Sequence, residues 1–80
     1  MTLAEKIHNF VELWQMALPH VEPPSVQDAA RWSAYDPALV ERAILRTARR
    51  FAPNKVTPEF QANEAYRYVS SVARGESKKP

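Results

Sequence analysis

Eighty residues, a formal charge of +2 and no cysteine leave room for one domain without disulfides or thiolate metal sites. A chain this short buries only roughly 60% of its unfolded surface, so every large apolar side chain counts in the core. A single glycine rules out a glycine-rich phosphate loop, no stretch has the length of a membrane span, and "MTLAEKIHNF" puts Glu5, Lys6 and His8 where a signal peptide needs an apolar run. These exclusions predict a soluble, cytoplasmic protein with no membrane association and no cofactor.

The first helix is expected over residues 2–18. Thr2 caps it and Glu5, three residues on, completes a capping box. Leu3, Ile7, Phe10, Val11, Trp14, Ala17 and Leu18 fall on one stripe at helical spacing. Pro19 ends the helix, and "PHVEPP" (19–24) reads as a stiff, extended connector. Ser25 caps a short second helix over 25–34, with Asp28 near its positive end. Trp32 is expected to pack where the second helix meets the third.

In "AYDP", Asp36 is the cap and Pro37 the first residue of a third helix over 36–51, the position where proline's missing N–H costs nothing. Its apolar side is Val40, Ala43, Ile44, Thr47, Ala48 and Phe51. After the loop "APNKVTP", Thr57–Pro58 repeats the device and predicts a fourth helix over 57–74, with Gly75 as its C-terminal stop. Ala62, Ala65, Tyr66, Val69, Val72 and Ala73 form its buried side; Arg67, Ser70, Ser71 and Arg74 lie opposite. No alternating strand pattern and no hairpin signal compete. The fold class is all-α: one domain, a bundle of four helices over residues 1–75, followed by a flexible basic tail over 76–80.

Enzyme chemistry is not expected. His8 lies on the polar side of the first helix and His20 in the connector, neither at metal-ligand or triad spacing. Both read as solvated histidines, and no metal site is predicted. Glu41 and Glu64 are the carboxylates a fold could bring together, but a bundle this small rarely encloses the pocket such a pair needs.

Charge is divided unevenly. Up to Ala30 there is one base against four acids; from Arg31 onward there are ten bases against five acids. Such asymmetry points to an acidic partner. Arg42, Arg46 and Arg50 follow one another at four-residue spacing, where like charges cost a few tenths of a kcal/mol per pair. An anion beside them would offset that cost. Arginine's helix propensity and the favourable placement of cations near a helix C-terminus would equally account for them.

The candidate phosphate contacts are Arg42, Arg46, Arg49, Arg50, Lys55, Arg67 and Arg74, with Lys78 and Lys79 in the tail. Tyr68, between faces of the fourth helix, reads either as a stacking platform for an unpaired base or as a half-buried residue with a wet hydroxyl. A short helix, a tight turn and an arginine-rich helix in succession suggest a helix-turn-helix. In that motif, however, bases are read from the start of the second helix. Here that start is "DPALVER", so base-specific readout is disfavoured while phosphate contact is not.

From Pro24 to Arg74 the chain resembles the C-terminal domain of DnaD-type proteins, which occur in primosomes and as phage replisome organisers. The resemblance is carried by Pro24–Ser25, Trp32, Tyr35–Asp36, Leu39–Val40, Ala43–Ile44, Ala48, Tyr68–Val69 and Val72–Ala73, over about two-thirds of the chain. The chain departs from that pattern in a longer loop before the last helix and in lacking the family's terminal tryptophan, where Gly75 follows Arg74. The resemblance implies contact with single-stranded or duplex DNA through the last helix and basic tail, self-association, and contact with a replicative helicase.

The sequence therefore favours a non-enzymatic module that binds nucleic-acid phosphates weakly and without sequence preference, or accompanies a DNA-replication-type complex. The alternative is a protein–protein adaptor or small inhibitor of bacterial or phage origin. In that case Leu13, Met16, Leu39 and Leu45 contact the partner and the arginines meet an acidic protein surface.

Overall fold

Each helix begins where a side chain can satisfy the N–H groups that have no partner in the first turn. The computed structural model describes residues 2–77, in which α1 (Leu3–Ala17), α2 (Val26–Trp32), α3 (Pro37–Arg50) and α4 (Ala62–Ser77) follow in order. Thr2 Oγ1 accepts from Glu5 N at 3.2 Å while Glu5 Oε1 accepts from Thr2 N at 3.4 Å, the expected capping box. Ser25 Oγ accepts from Asp28 N at 3.2 Å, and Asp36 Oδ1 accepts from Ala38 N at 2.9 Å, with Pro37 opening α3. Such caps each contribute about 1 kcal/mol.

The fourth helix corrects the sequence reading at both ends. Thr57–Pro58 does not start it: Phe60 N donates to Thr57 O at 3.0 Å, a turn that swings Phe60 onto Phe51, with ring centroids 5.2 Å apart. The start lies at Ala62, where Glu64 Oε2 accepts from Gln61 N at 3.1 Å. The aromatic contact won over the Thr-Pro signal. At the other end Gly75 does not stop the helix. It keeps an ordinary negative φ, and α4 runs on to Ser77. Glu76 and Ser77 are thus helical rather than tail, while Lys78 and Lys79 lie outside the described residues.

The core is built around three aromatic side chains. Trp14 stacks on Trp32 at 6.0 Å and 24°, and Phe10 meets Trp32 edge-on at 6.4 Å. Leu18, Val21, Val40, Ile44 and Val69 close around them, all buried. Burying each such side chain fully contributes about 1.5–3 kcal/mol. Polar atoms drawn inside are paired: Trp14 Nε1 donates to Val21 O at 3.2 Å and Thr47 Oγ1 to Ala43 O at 2.7 Å.

Trp32 packs between α1 and α4 rather than where α2 meets α3. Its Nε1 donates to Ser70 Oγ at 3.0 Å, which turns Ser70 toward the core instead of the outer face. The connector is likewise more than a spacer, since Val21 and Pro24 are buried. Tyr66 closes it down by donating its hydroxyl to Glu22 O. Burial raises the Tyr66 phenol above its ordinary value, with the Glu22 and Asp28 carboxylates adding to the shift. The neutral phenol is therefore the native form below pH 10, and its contribution is lost as pH rises through the raised value.

α3 is the central helix. It packs most extensively on α4 and next on α1, while α2 bridges α1 and α4. Its inward side is the expected one, with Val40, Ala43, Ile44 and Thr47 buried. The arginines are left pointing out.

Candidate anion-binding site

The arginines of α3 divide into two groups. Arg42 and Arg46 already have an anion. Arg46 Nη1 lies 3.2 Å from Glu76 Oε1, and Arg42 Nη1 lies 3.9 Å from Glu76 Oε2. The Glu76 side chain is only 15% exposed between two guanidinium side chains that remain 60% and 52% exposed. A carboxylate near the negative end of α4 is unfavourable for the helix dipole, by a few tenths of a kcal/mol. The two arginines offset that cost and hold the last turn of α4 against α3. Of the two readings of the four-residue arginine spacing, an anion is present for Arg42 and Arg46, and it belongs to the chain itself.

Arg49, Arg50 and Lys55 are in a different state. Among the described residues no carboxylate lies within ion-pair distance of any of them. Together with Arg46 and Tyr68 they line an open concavity of about 410 Å³. Its geometry comes from how α3 ends. Phe51 N closes the last turn onto Thr47 O at 2.9 Å, which leaves later carbonyls without helical donors. Lys55 Nζ donates to Arg49 O at 3.3 Å, and His20 Nε2 donates to Phe51 O at 2.6 Å from the connector. Capping of α3 therefore draws the Lys55 ammonium back beside the arginines. It also gives His20, expected to be merely solvated, a structural contact.

Arg50 is held by aromatic rings. Its guanidinium carbon lies 5.2 Å from the Tyr68 centroid and 5.8 Å from that of Phe51, and those two rings meet edge-on at 5.8 Å. Cation–π contact of this kind contributes about 0.5–1 kcal/mol at an exposed site. A ring contact of this kind satisfies no N–H donor, so the guanidinium keeps its hydrogen-bonding capacity for an anion. Tyr68 itself is half-buried, as the packing reading had it, yet it forms part of the concavity wall.

A helix C-terminus stabilises cations by about 0.3–1 kcal/mol, which would account for one or two basic residues there. It does not account for four cations, three of them without a carboxylate beside them, converging on one concavity with a tyrosine in its wall.

The other expected contacts are dispersed. Arg67 and Arg74 are exposed on α4 but do not line the concavity. The apolar candidates do not form one surface either. Met16 is 80% and Leu45 51% exposed, whereas Leu13 packs partly against the core and Leu39 is half-buried. Leu39 and Leu45, six residues apart on one helix, point in different directions. Glu41 is exposed, and Glu64 is engaged in starting α4.

Sequence reasoning missed Glu76 as a partner of the arginines, and the true start of α4. Glu76 was assigned to the tail because Gly75 resembled a stop, although no proline intervenes before Pro80 to prevent the helix continuing. Gln61 and Glu64, at capping-box spacing, carried the true start of α4.

Among the described residues no group of His, Asp and Glu is placed to hold a metal ion, and no helix is long and apolar enough to cross a membrane. No protein-family model, curated protein or solved structure matches the chain. The resemblance to DnaD-type domains therefore rests on the residue pattern quoted above.

Proposed function

We propose that this chain is a non-enzymatic helical module that binds nucleic-acid backbone phosphates through Arg49, Arg50 and Lys55. One observation carries the reading: three cations without an acidic partner among the described residues converge on one concavity of about 410 Å³. Guanidinium groups present several N–H donors in a planar fork suited to phosphate oxygens. The site lies at the end of α3, away from the residues that would enter a major groove, so these phosphate contacts themselves read no base sequence. A place in a DNA-replication-type complex of a bacterium or phage, as the DnaD-type resemblance implies, belongs to the same proposal.

The test is a salt titration of binding to a fluorescent single-stranded oligonucleotide. Three phosphate contacts predict that log affinity falls against log salt with a slope of about −2, at about 0.7 per cation on a single strand. Undetectable binding at low salt rejects the reading.

A second reading has its own observation. Leu45, 51% exposed, lies on α3 between Arg42 and Arg49, where an acidic protein surface with an apolar centre would find both kinds of contact. Leu45→Ser would then abolish capture of such a partner with helix content intact, and would leave oligonucleotide binding unchanged.

A further inference from the structure

A second concavity, of about 290 Å³, adjoins the cationic one, and Lys55 stands in the walls of both. Its chemistry is different. Phe51 and Phe60 supply half-buried aromatic surface, with Val56 beside them, and Glu59 and Glu64 place carboxylates at the rim. The rings form a row from one concavity to the other: Tyr68 against Phe51 at 5.8 Å, then Phe51 against Phe60 at 5.2 Å. Glu64 is engaged with Gln61 N, whereas Glu59 is exposed and has no partner among the described residues.

We infer that this second concavity receives the unpaired base of a nucleotide whose phosphate lies among Arg49, Arg50 and Lys55, an inference that rests on the phosphate-binding reading above. Phosphate and base are joined through one sugar, so a base site must share a wall with the phosphate site, and this concavity does. Its aromatic rings are held by packing on one another, so a base stacks on them without first ordering a side chain. Its carboxylates repel a second phosphate, which keeps the backbone on the cationic side. A carboxylate accepts from an exocyclic amino group, as on cytosine N4, whereas thymine offers only its ring N3–H, flanked by two carbonyl oxygens that repel the carboxylate. The occupant is thus an unpaired, amino-bearing base attached to a phosphate. A duplex, whose bases are stacked and paired, does not present one.

The same chemistry is offered by a single strand and by a free nucleotide. The experiment compares oligodeoxycytidylate, oligothymidylate, an abasic strand of equal length, a duplex and CTP, by direct or competition anisotropy at low salt. Base stacking predicts that oligodeoxycytidylate binds about tenfold or more tightly than the abasic strand or the duplex. Phe60→Ala brings it down to the abasic level while leaving abasic affinity and its salt slope unchanged. Glu59→Ala, at an exposed position outside the core, removes the acceptor and with it the preference for cytosine over thymine even if Phe60→Ala fails to fold. Competition by CTP at strand-like concentrations makes a free nucleotide the source; competition by strands alone makes it a single strand, and either result upholds the pocket. Equal, salt-sensitive affinity for abasic and base-bearing strands overturns the base pocket and leaves the phosphate site standing. Absence of binding to every strand and to CTP overturns both.

Discussion

The first and second halves of the α3 arginine row use the same residue type on the same helix and differ in what faces them. Arg42 and Arg46 share the Glu76 carboxylate across the interface with α4; Arg49 and Arg50, in the last turn of α3, have no carboxylate beside them and line a concavity with Lys55 and Tyr68, whose wall Arg46 also reaches. A guanidinium beside a fixed carboxylate is a structural clip, and a phosphate that approaches it meets the repulsion of that carboxylate. A guanidinium held only by an aromatic face keeps its charge available. Residue type alone therefore does not identify an anion site; the nearest opposite charge does.

The largest expected effect comes from removing the open half. Arg49→Ala with Arg50→Ala should weaken oligonucleotide binding at low salt by about tenfold or more and lower the salt slope by about 1.4, the value of two cations on a single strand. Arg42→Ala with Arg46→Ala should lower the slope by no more than about 0.7, because Glu76 holds both and only Arg46 reaches the concavity wall. Equal effects of the two pairs would erase the distinction between the halves.

Next in size is conversion of the closed half into an open one. Glu76→Gln leaves Arg42 and Arg46 without their carboxylate, so the slope should steepen by as much as about 1.4 and affinity should rise several-fold. Thermal denaturation of the same variant should show a loss of no more than about 1 kcal/mol, because the arginines are half exposed and solvent screens the pair. A variant that loses stability without gaining affinity would mean that Arg42 and Arg46 cannot reach the ligand.

A smaller effect tests the clip itself. Arg46→Gln should destabilise the chain by about 0.5 kcal/mol, and this cost should nearly vanish when Glu76 is already glutamine. Additive losses in that double-mutant cycle would show that the 3.2 Å contact carries no coupling energy.

The smallest is Gly75→Ala. A Cβ there meets nothing within 4 Å and the backbone is helical, so the substitution should stabilise by about 0.5 kcal/mol. By firming the turn that carries Glu76 it should leave binding through the open half unaltered. A drop in binding would place the last turn of α4 closer to the ligand than the concavity suggests.

Much of the fold was legible in the chain. Thr2 with Glu5, Ser25, and Asp36 with Pro37 are local signals, and the first three helices begin within one residue of where those signals place them. Buried sides at helical spacing were equally readable, since Val40, Ala43, Ile44 and Thr47 on α3 and Ala65, Val69 and Ala73 on α4 are buried. The misreadings have one cause in common. Phe60 pulls onto Phe51 and overrides Thr57–Pro58; Glu76 pulls onto Arg42 and Arg46 and carries α4 past Gly75.

What the sequence determined by itself is therefore the all-α class, the helix starts that rest on neighbouring residues, and the supply of arginines on an outward face of α3. These follow from periodicity and from contacts three or four residues apart, which every copy of the pattern makes regardless of the rest of the chain. Only the tertiary structure decided which arginines share a carboxylate, that Trp32 packs with Phe10 and Trp14, and that Lys55 closes a concavity with Tyr68. Each of those joins residues far apart in sequence or depends on where a helix stops against its neighbour. A charge is local to its residue, but its partner is chosen by the packing of the helices.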